Sequence, residues 1–140
     1  TTRVLKFTRN GSVLWTFERP ELRCTSSPAL NGRSMLLLMQ DPAERPTLFS
    51  LALSSGSVEW SRTYAEYRRS GEPAAALVFC GTLIFGVRTN IASGTGVDTV
   101  VAASASTGQV LWEYVTDEVM WNFSPATPGD GTVIFSSMCG

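Results

Sequence analysis

The sequence contains no histidine and only three cysteines, Cys24, Cys80 and Cys139, none in a C-x-x-C spacing. The first absence removes the usual base for a serine or cysteine nucleophile. Together they remove the Cys/His clusters that hold zinc. Charge is scarce as well: 16% of residues are Asp, Glu, Lys or Arg, against about 25% in an ordinary globular domain. The formal net charge is −1, which gives no field for gripping nucleic acid, and the largest basic cluster, Arg68-Arg69, reads as a solvated loop. Long apolar runs are missing. The longest, Met35 to Met39 and Ala74 to Cys80, fall far short of the ~20 residues of a membrane-spanning helix. Thr1-Thr2-Arg3-Val4 leads straight into a strand-like pattern, so these residues are not expected to form a secretory leader. Three cysteines admit one bridge plus a free thiol, or three buried thiols. The tendency of unpaired cysteine to act as a small buried hydrophobe favours the second.

Carboxylates are present but dispersed. The 12 acids fall mostly on expected turns and strand ends, among them Asp41, Glu44, Asp98, Asp117, Glu118 and Asp130. No D-x-D-x-D-G run gathers oxygens for calcium. Asp117-Glu118 is the tightest pair, yet neighbours on an extended chain point to opposite faces, which argues against paired acid/base work and for a solvated loop. Ala92-Ser-Gly-Thr-Gly96 lacks the following lysine and the helix N-terminus of a phosphate cradle. It is expected to be a loop insertion.

Against these absences stands a repeat. Three tryptophans have near-identical surroundings: Gly11-Ser-Val-Leu-Trp15, Gly56-Ser-Val-Glu-Trp60 and Gly108-Gln-Val-Leu-Trp112. Thirteen residues after each comes a proline and an alanine, at Pro28, Pro73 and Pro125, so that both landmarks recur at intervals of 45 and 52 residues. A period in this range with a glycine turn and a tryptophan in every unit points to a β-propeller.

Each unit divides into four strands. In the first complete one, Ser27 to Leu30 is a strand begun through a proline, Asn31-Gly32 a tight turn, and Met35 to Met39 a strand buried on both faces. Asp41 to Pro46 is a loop, Thr47 to Leu53 the third strand, Ser54-Ser55-Gly56 the turn, and Ser57 to Tyr64 the fourth. The next unit repeats the plan with Ala74 to Phe79, a Cys80-Gly81 turn, Thr82 to Val87, Thr99 to Ala105, a Ser106-Thr107-Gly108 turn, and Gln109 to Val115. The sequence therefore predicts an all-β chain, a propeller segment of four-stranded antiparallel blades. A half blade (1–22, third and fourth strands) is followed by a blade (23–66) and a second blade with a loop insertion at 89–98 (67–117). Another half blade (118–140, first and second strands) ends it. An open arc leaves two faces uncovered, so missing blades are expected from residues absent here or from another chain.

The units resemble the pyrroloquinoline-quinone (PQQ)-like repeat of the quinoprotein β-propeller superfamily, which reads roughly S-P-A, then G-x-V-Y-V, then A-x-D-x-x-T-G-x-x-x-W. Ala102-Ala-Ser-Ala-Ser-Thr107-Gly108-Gln-Val-Leu-Trp112, followed by Ser124-Pro125-Ala126 and Gly131-Thr-Val-Ile-Phe135, matches it best. The resemblance implies that Trp15, Trp60 and Trp112 are docking residues between blades, each near the glycine of an adjacent turn. It also shows a divergence: the motif's aspartate is replaced by Phe7, Ala52 and Ser104.

Two functions follow from the resemblance. One is a non-enzymatic scaffold or protein-binding module needing no cofactor, as in propellers that dock peptides or loops on one face. Its partners would be other protein chains or missing blades, with no nucleic acid and no membrane insertion by this segment. The other is part of a quinoprotein oxidoreductase using PQQ and calcium. The adjacent cysteine pair of such enzymes is absent, so the cofactor residues would lie outside this segment. Trp121, out of the repeat's register, and Arg69, at the matching position of the preceding unit, are candidates for a partner-binding rim. The family setting implies an extracytoplasmic or luminal location.

Overall fold

The computed structural model describes residues 2–24, 26–69, 74–89, 97–116 and 124–136, and every regular element within them is a β-strand. The chain opens on a hairpin of β1 (Arg3–Phe7) and β2 (Val13–Glu18). A sheet follows, made of β3 (Arg23–Cys24), β5 (Ala29–Asn31), β6 (Ser34–Gln40), β7 (Pro46–Ala52) and β8 (Val58–Thr63), with β4 (Ser26–Ser27) interrupting its first strand. The next sheet holds β9 (Arg68–Arg69), β11 (Leu77–Phe79), β12 (Thr82–Thr89), β13 (Val97–Ser104) and β14 (Val110–Val115), with β10 (Ala74–Ala75) before β11. The last described segment closes a single antiparallel bridge between Ala126 and Ile134. In both large sheets the first position is shared by two short strands, so each is four strands wide. The chain is a β-propeller segment, two four-stranded antiparallel blades flanked by two half blades.

Alternation along the second strands explains the stacking. Leu36 and Leu38 pack with Leu83, Phe85, Val87 and Val101 of the next blade, whereas Met35, Leu37 and Met39 join Phe17, Phe49 and Leu51 towards the first hairpin. Ile84, Val100 and Ala102 carry the same arrangement on to Val133 and Phe135 of the last half blade. The apolar run from Met35 to Met39 is buried on both faces because each face of this sheet meets another sheet.

Two of the connections depart from the sequence reading. Asn31 pairs with Ser34, so the tight turn is Gly32-Arg33 rather than Asn31-Gly32; glycine takes the position with φ 59°. The Cys80-Gly81 turn forms as expected, both residues having positive φ. The strand pair β12–β13 runs out to Thr89↔Val97, which takes Thr89, Val97 and Asp98 out of the 89–98 loop; Arg88 opposite Asp98 supplies a countercharge that lets the ladder continue.

The first strands are not continuous. β4 leaves β6 and pairs in parallel with β10 of the next blade, Ser26 opposite Ala74 and Ser27 opposite Ala75. The Ser26 hydroxyl fills the gap so created, accepting from the Leu38 backbone N–H at 3.1 Å and meeting its carbonyl at 3.5 Å. Pro28, lacking an N–H, occupies the step back into the sheet. The same pairing shows that Pro73 is not the counterpart of Pro28. Counting back from the turns, Ala76 holds that place, and Pro73, itself outside the described residues, precedes it by three positions. The equal proline spacing in the middle unit is therefore coincidental.

Candidate functional site

The tryptophan-bearing hairpins share one construction. Lys6 pairs with Trp15, Ser50 with Trp60 and Ala102 with Trp112, and in each case the register then slips by one residue. The residue skipped is the one before the tryptophan: Leu14, Glu59 and Leu111. A β-bulge at this point re-aims the following side chain. Sequence reasoning missed it, although the constant spacing from glycine to tryptophan was its visible trace.

The bulges send the indoles sideways into the next blade. Trp15 Nε1 donates to the Leu53 carbonyl at 3.0 Å, and Lys6 Nζ donates to the same oxygen at 2.6 Å. The Trp15 ring lies flat on Gly56, where a Cβ would come within 2.6 Å of Cε3 and 2.7 Å of Cδ2. Trp60 covers Gly108 in the same way, a Cβ there meeting its Cζ3 at 2.9 Å. Gly56 and Gly108 are consequently buried. They also have φ of 73° and 70°, the left-handed region in which a side chain is strained. Glycine is required at both places for two independent reasons.

The turns beneath the rings hold together without the motif's aspartate. Backbone bonds close them: Ala52 N–H to Ser57 O and Gly56 N–H to Ala52 O, and likewise Ser104 to Gln109 and Gly108 to Ser104. Neutral hydroxyls replace the carboxylate, with Ser55 accepting from Ser57 N–H and Ser104 from Ser106 N–H. In the first hairpin the turn is one residue shorter, since Phe7 pairs with Val13 where Leu51 pairs with Val58. Thr8, not Phe7, therefore stands where Ala52 and Ser104 stand, and its Oγ1 accepts from Ser12 N–H. A fixed count back from glycine could not detect the deletion.

Beyond the indoles, two tyrosines tie the central blades. The Tyr64 hydroxyl donates to the Gly108 carbonyl at 2.7 Å, and the Tyr67 hydroxyl donates to the Glu113 carboxylate. The rings stack at 5.6 Å, and Tyr64 meets Phe85 at the same distance. Burial raises both phenol pKa values well above the ordinary 10, with the Glu113 hydrogen bond adding to the rise at Tyr67.

Trp112 is different. It is 46% exposed, because no turn covers it among the described residues. Around it open two recesses, one of about 300 Å³ bounded by Phe79, Cys80, Ile84 and Gly131, the other of about 620 Å³ bounded by Val100, Tyr114, Val133 and Phe135. Tyr114, 57% exposed, stands edge-on to Phe135. At the opposite end of the arc, Leu5, Phe7, Val13 and Leu14 are exposed on the first hairpin, and Gly11 lies bare at φ 84°. The chain thus presents an apolar face at each end, and these are its candidate interaction sites.

The remaining candidates do not converge. Trp121 and Cys139 lie outside the described residues, and the side chain of Arg69 does too, its backbone pairing with Val87. Pro28 is exposed between β4 and β5, and Pro125 is half-buried beside the Ala126 bridge. Cys24 and Cys80 are free and exposed, contrary to the expected burial; Cys24 ends the two-residue strand β3 and Cys80 lies in the turn before β12. Asp41 is engaged by the Arg45 backbone N–H and then its guanidinium, and Asp130 by Thr132, which hold both carboxyls below their usual pKa. Asp98 is buried, its Oδ1 3.2 Å from Arg88 Nε. Among the described residues no three Cys, Asp or Glu side chains gather as a metal would require.

No protein-family model matches the sequence, and no curated protein matches it. Solved structures do. BamB from Moraxella catarrhalis aligns with a TM-score of 0.62 at 21% identity, over 90% of this chain and 34% of its own. Quinohemoprotein alcohol dehydrogenase from Comamonas testosteroni aligns with a TM-score of 0.61 at 21% identity, over 82% of this chain and 18% of its own. A europium-containing methanol dehydrogenase gives 0.55 at 14%, over 76% and 19%. The likeness is one of fold, a β-propeller, and the chain spans about a third or less of the length of each.

Proposed function

We propose that this chain is a propeller segment acting as a scaffold or protein-binding module within a larger chain or complex, with no catalysis of its own. The observation that carries the proposal is the apolar face around Trp112 and Tyr114. Trp and Tyr are the residues that most often anchor interfaces, and here they flank recesses wide enough to take side chains. The edge of β14, which among the described residues pairs with β13 alone, offers a second mode of docking, by strand addition. The partners of this reading are protein chains. The rim residues Trp121 and Arg69 belong to it as candidates, and an extracytoplasmic or luminal setting accords with it.

A second reading is favoured by the fold likeness to two dehydrogenases: the chain is part of a PQQ-dependent oxidoreductase. The described residues do not fit the calcium that accompanies PQQ in the family, since Asp41, Asp98 and Asp130 are each engaged locally and far from converging. Under this reading the cofactor would be held by other blades.

Purification from the native source under mild conditions separates the two. A scaffold should carry a stoichiometric protein partner that Trp112→Asp releases. Wild-type protein free of any partner would refute the scaffold, and quinone absorbance that stays with the protein after free PQQ is removed, together with dye-linked alcohol oxidation, would establish the second reading.

A further inference from the structure

The Gly11 turn carries a triplet that the repeat does not require. Asn10-Gly11-Ser12 has the form Asn-x-Ser with x other than proline, the acceptor pattern for N-linked glycosylation. The pattern by itself is common, so its place in the fold decides. Asparagine usually enters a turn to take positive φ or to bind the backbone two residues on. Asn10 does neither. Among the described residues other than glycine, positive φ occurs at Glu44 and Cys80 only, and in this turn it falls to Gly11 at 84°. The Ser12 N–H, two residues on, donates instead to Thr8 Oγ1 at 3.0 Å. No hydrogen bond among the described residues holds the Asn10 amide or the Ser12 hydroxyl.

The corresponding turns show what this position does when it is structural. Counted back from each glycine, Asn10 matches Ser55 and Thr107. Ser55 Oγ accepts from Ser57 N–H and Thr107 Oγ1 from Gln109 N–H, both at 3.3 Å. Asn31 also precedes a glycine but has Arg33, not a hydroxyl residue, two places on; its Nδ2 donates to the Ala105 carbonyl at 3.4 Å. Room for a saccharide at Asn10 does not depend on what lies beside the first hairpin. Asn10 and Ser12 are exposed. Gly56 and Gly108 are buried beneath indoles, yet Ser55 and Thr107 before them, and Ser57 and Gln109 after them, stay exposed. An indole seated on Gly11 by a further blade would therefore leave Asn10 and Ser12 in solvent. Of the second such triplet, Asn122-Phe123-Ser124, only Ser124 lies among the described residues.

We infer that Asn10 is an N-glycosylation site. The donor is an oligosaccharide linked to a polyprenyl diphosphate, and the catalyst is a transferase that recognises the Ser12 hydroxyl two residues on. Asn10 Nδ2 attacks C1 of the first sugar. The new N–C1 bond replaces the C1–O bond to the diphosphate, which departs on its lipid with the bonding electrons. One amide proton passes to a base of the transferase. The inference rests on the extracytoplasmic or luminal setting of the proposed function, and not on the choice between scaffold and oxidoreductase.

Mass spectrometry of the tryptic peptide that contains Asn10, taken from the polypeptide purified from its native source, tests it. The expected result is a saccharide on Asn10 that peptide-N-glycosidase removes. Asn10→Gln and Ser12→Ala, expressed in the same source, should each abolish the saccharide, and Ser12→Thr should keep it. All three should retain the strand signature in circular dichroism, since neither side chain holds a bond in the turn. A saccharide that survives Ser12→Ala would contradict recognition through the triplet. An unmodified Asn10 would overturn the proposal, and protease treatment of sealed vesicles from the same source would then separate the causes. A protected chain would remove the site and leave the setting standing; a chain cut from the cytoplasmic side would remove the setting as well. Neither result touches the stoichiometric partner by which the scaffold is judged.

Discussion

Replacing Gly56 by alanine isolates the step that joins the first two sheets. The new methyl would stand 2.6 Å from Trp15 Cε3 and 2.7 Å from Cδ2, well inside contact distance of a fused ring that cannot bend away. Moving the indole would stretch its 3.0 Å hydrogen bond to Leu53. Overpacking of this kind costs about 1–3 kcal/mol. The backbone adds its own penalty, since φ is 73° and a side chain in the left-handed region costs about 1–2 kcal/mol. Gly32→Ala is the control: φ is 59°, but a methyl there meets nothing within 4 Å, so only the backbone penalty applies. The two substitutions should therefore differ by about 1–3 kcal/mol. In a Trp15→Ala background, Gly56→Ala should fall to the cost of the control, giving a coupling energy of the same size. Urea unfolding followed by circular dichroism, with unchanged m-values, measures all four variants. Equal costs at Gly56 and Gly32, or a penalty at Gly56 that persists without Trp15, would refute the claim that glycine is there to seat the indole.

Other outcomes follow from neighbouring contacts. Burial raises the Tyr64 and Tyr67 pKa values, so the fold favours the neutral phenols; that stability is complete below pH 10 and is lost as pH rises above it towards the folded-state values. Tyr64→Phe with Tyr67→Phe should flatten stability in that alkaline range, and an unaltered profile would show that the phenols are not the cause. Ser26→Ala should destabilise by about 1 kcal/mol and speed hydrogen exchange at the Leu38 amide, which donates to the serine hydroxyl; unchanged exchange would mean the bond does not bridge the split strand. Cys24 and Cys80 are exposed, so a maleimide should label both in the folded protein as fast as in urea, and protection of either would contradict the placement described.

The repeat was legible because its strongest marks are chemical necessities. Gly56 and Gly108 must be glycine beneath an indole, and the Met35 to Met39 run must be apolar on both sides, so spacing and composition exposed them. Features fixed by pairing rather than by residue type stayed hidden. Nothing in Leu14, Glu59 or Leu111 marks a bulge, since a bulge is a relation between two strands. The one-residue deletion that puts Thr8 in place of Phe7 is invisible without the partner strand, and so is the shift that separates Pro73 from Pro28. The interaction faces were least legible of all. Trp112 has the same sequence surroundings as Trp15 and Trp60, and only its missing neighbour makes it a surface.

The parallel pair of Ser26-Ser27 with Ala74-Ala75 has a mechanical consequence. It binds the first-strand margins of the two blades by backbone, whereas among the described residues their opposite margins meet through side chains. A load that pries the blades apart would open them like the covers of a book. Tyr64 and the indole steps would give way while the spine at Ser26 still holds, so the blades could swing without losing their order around the axis.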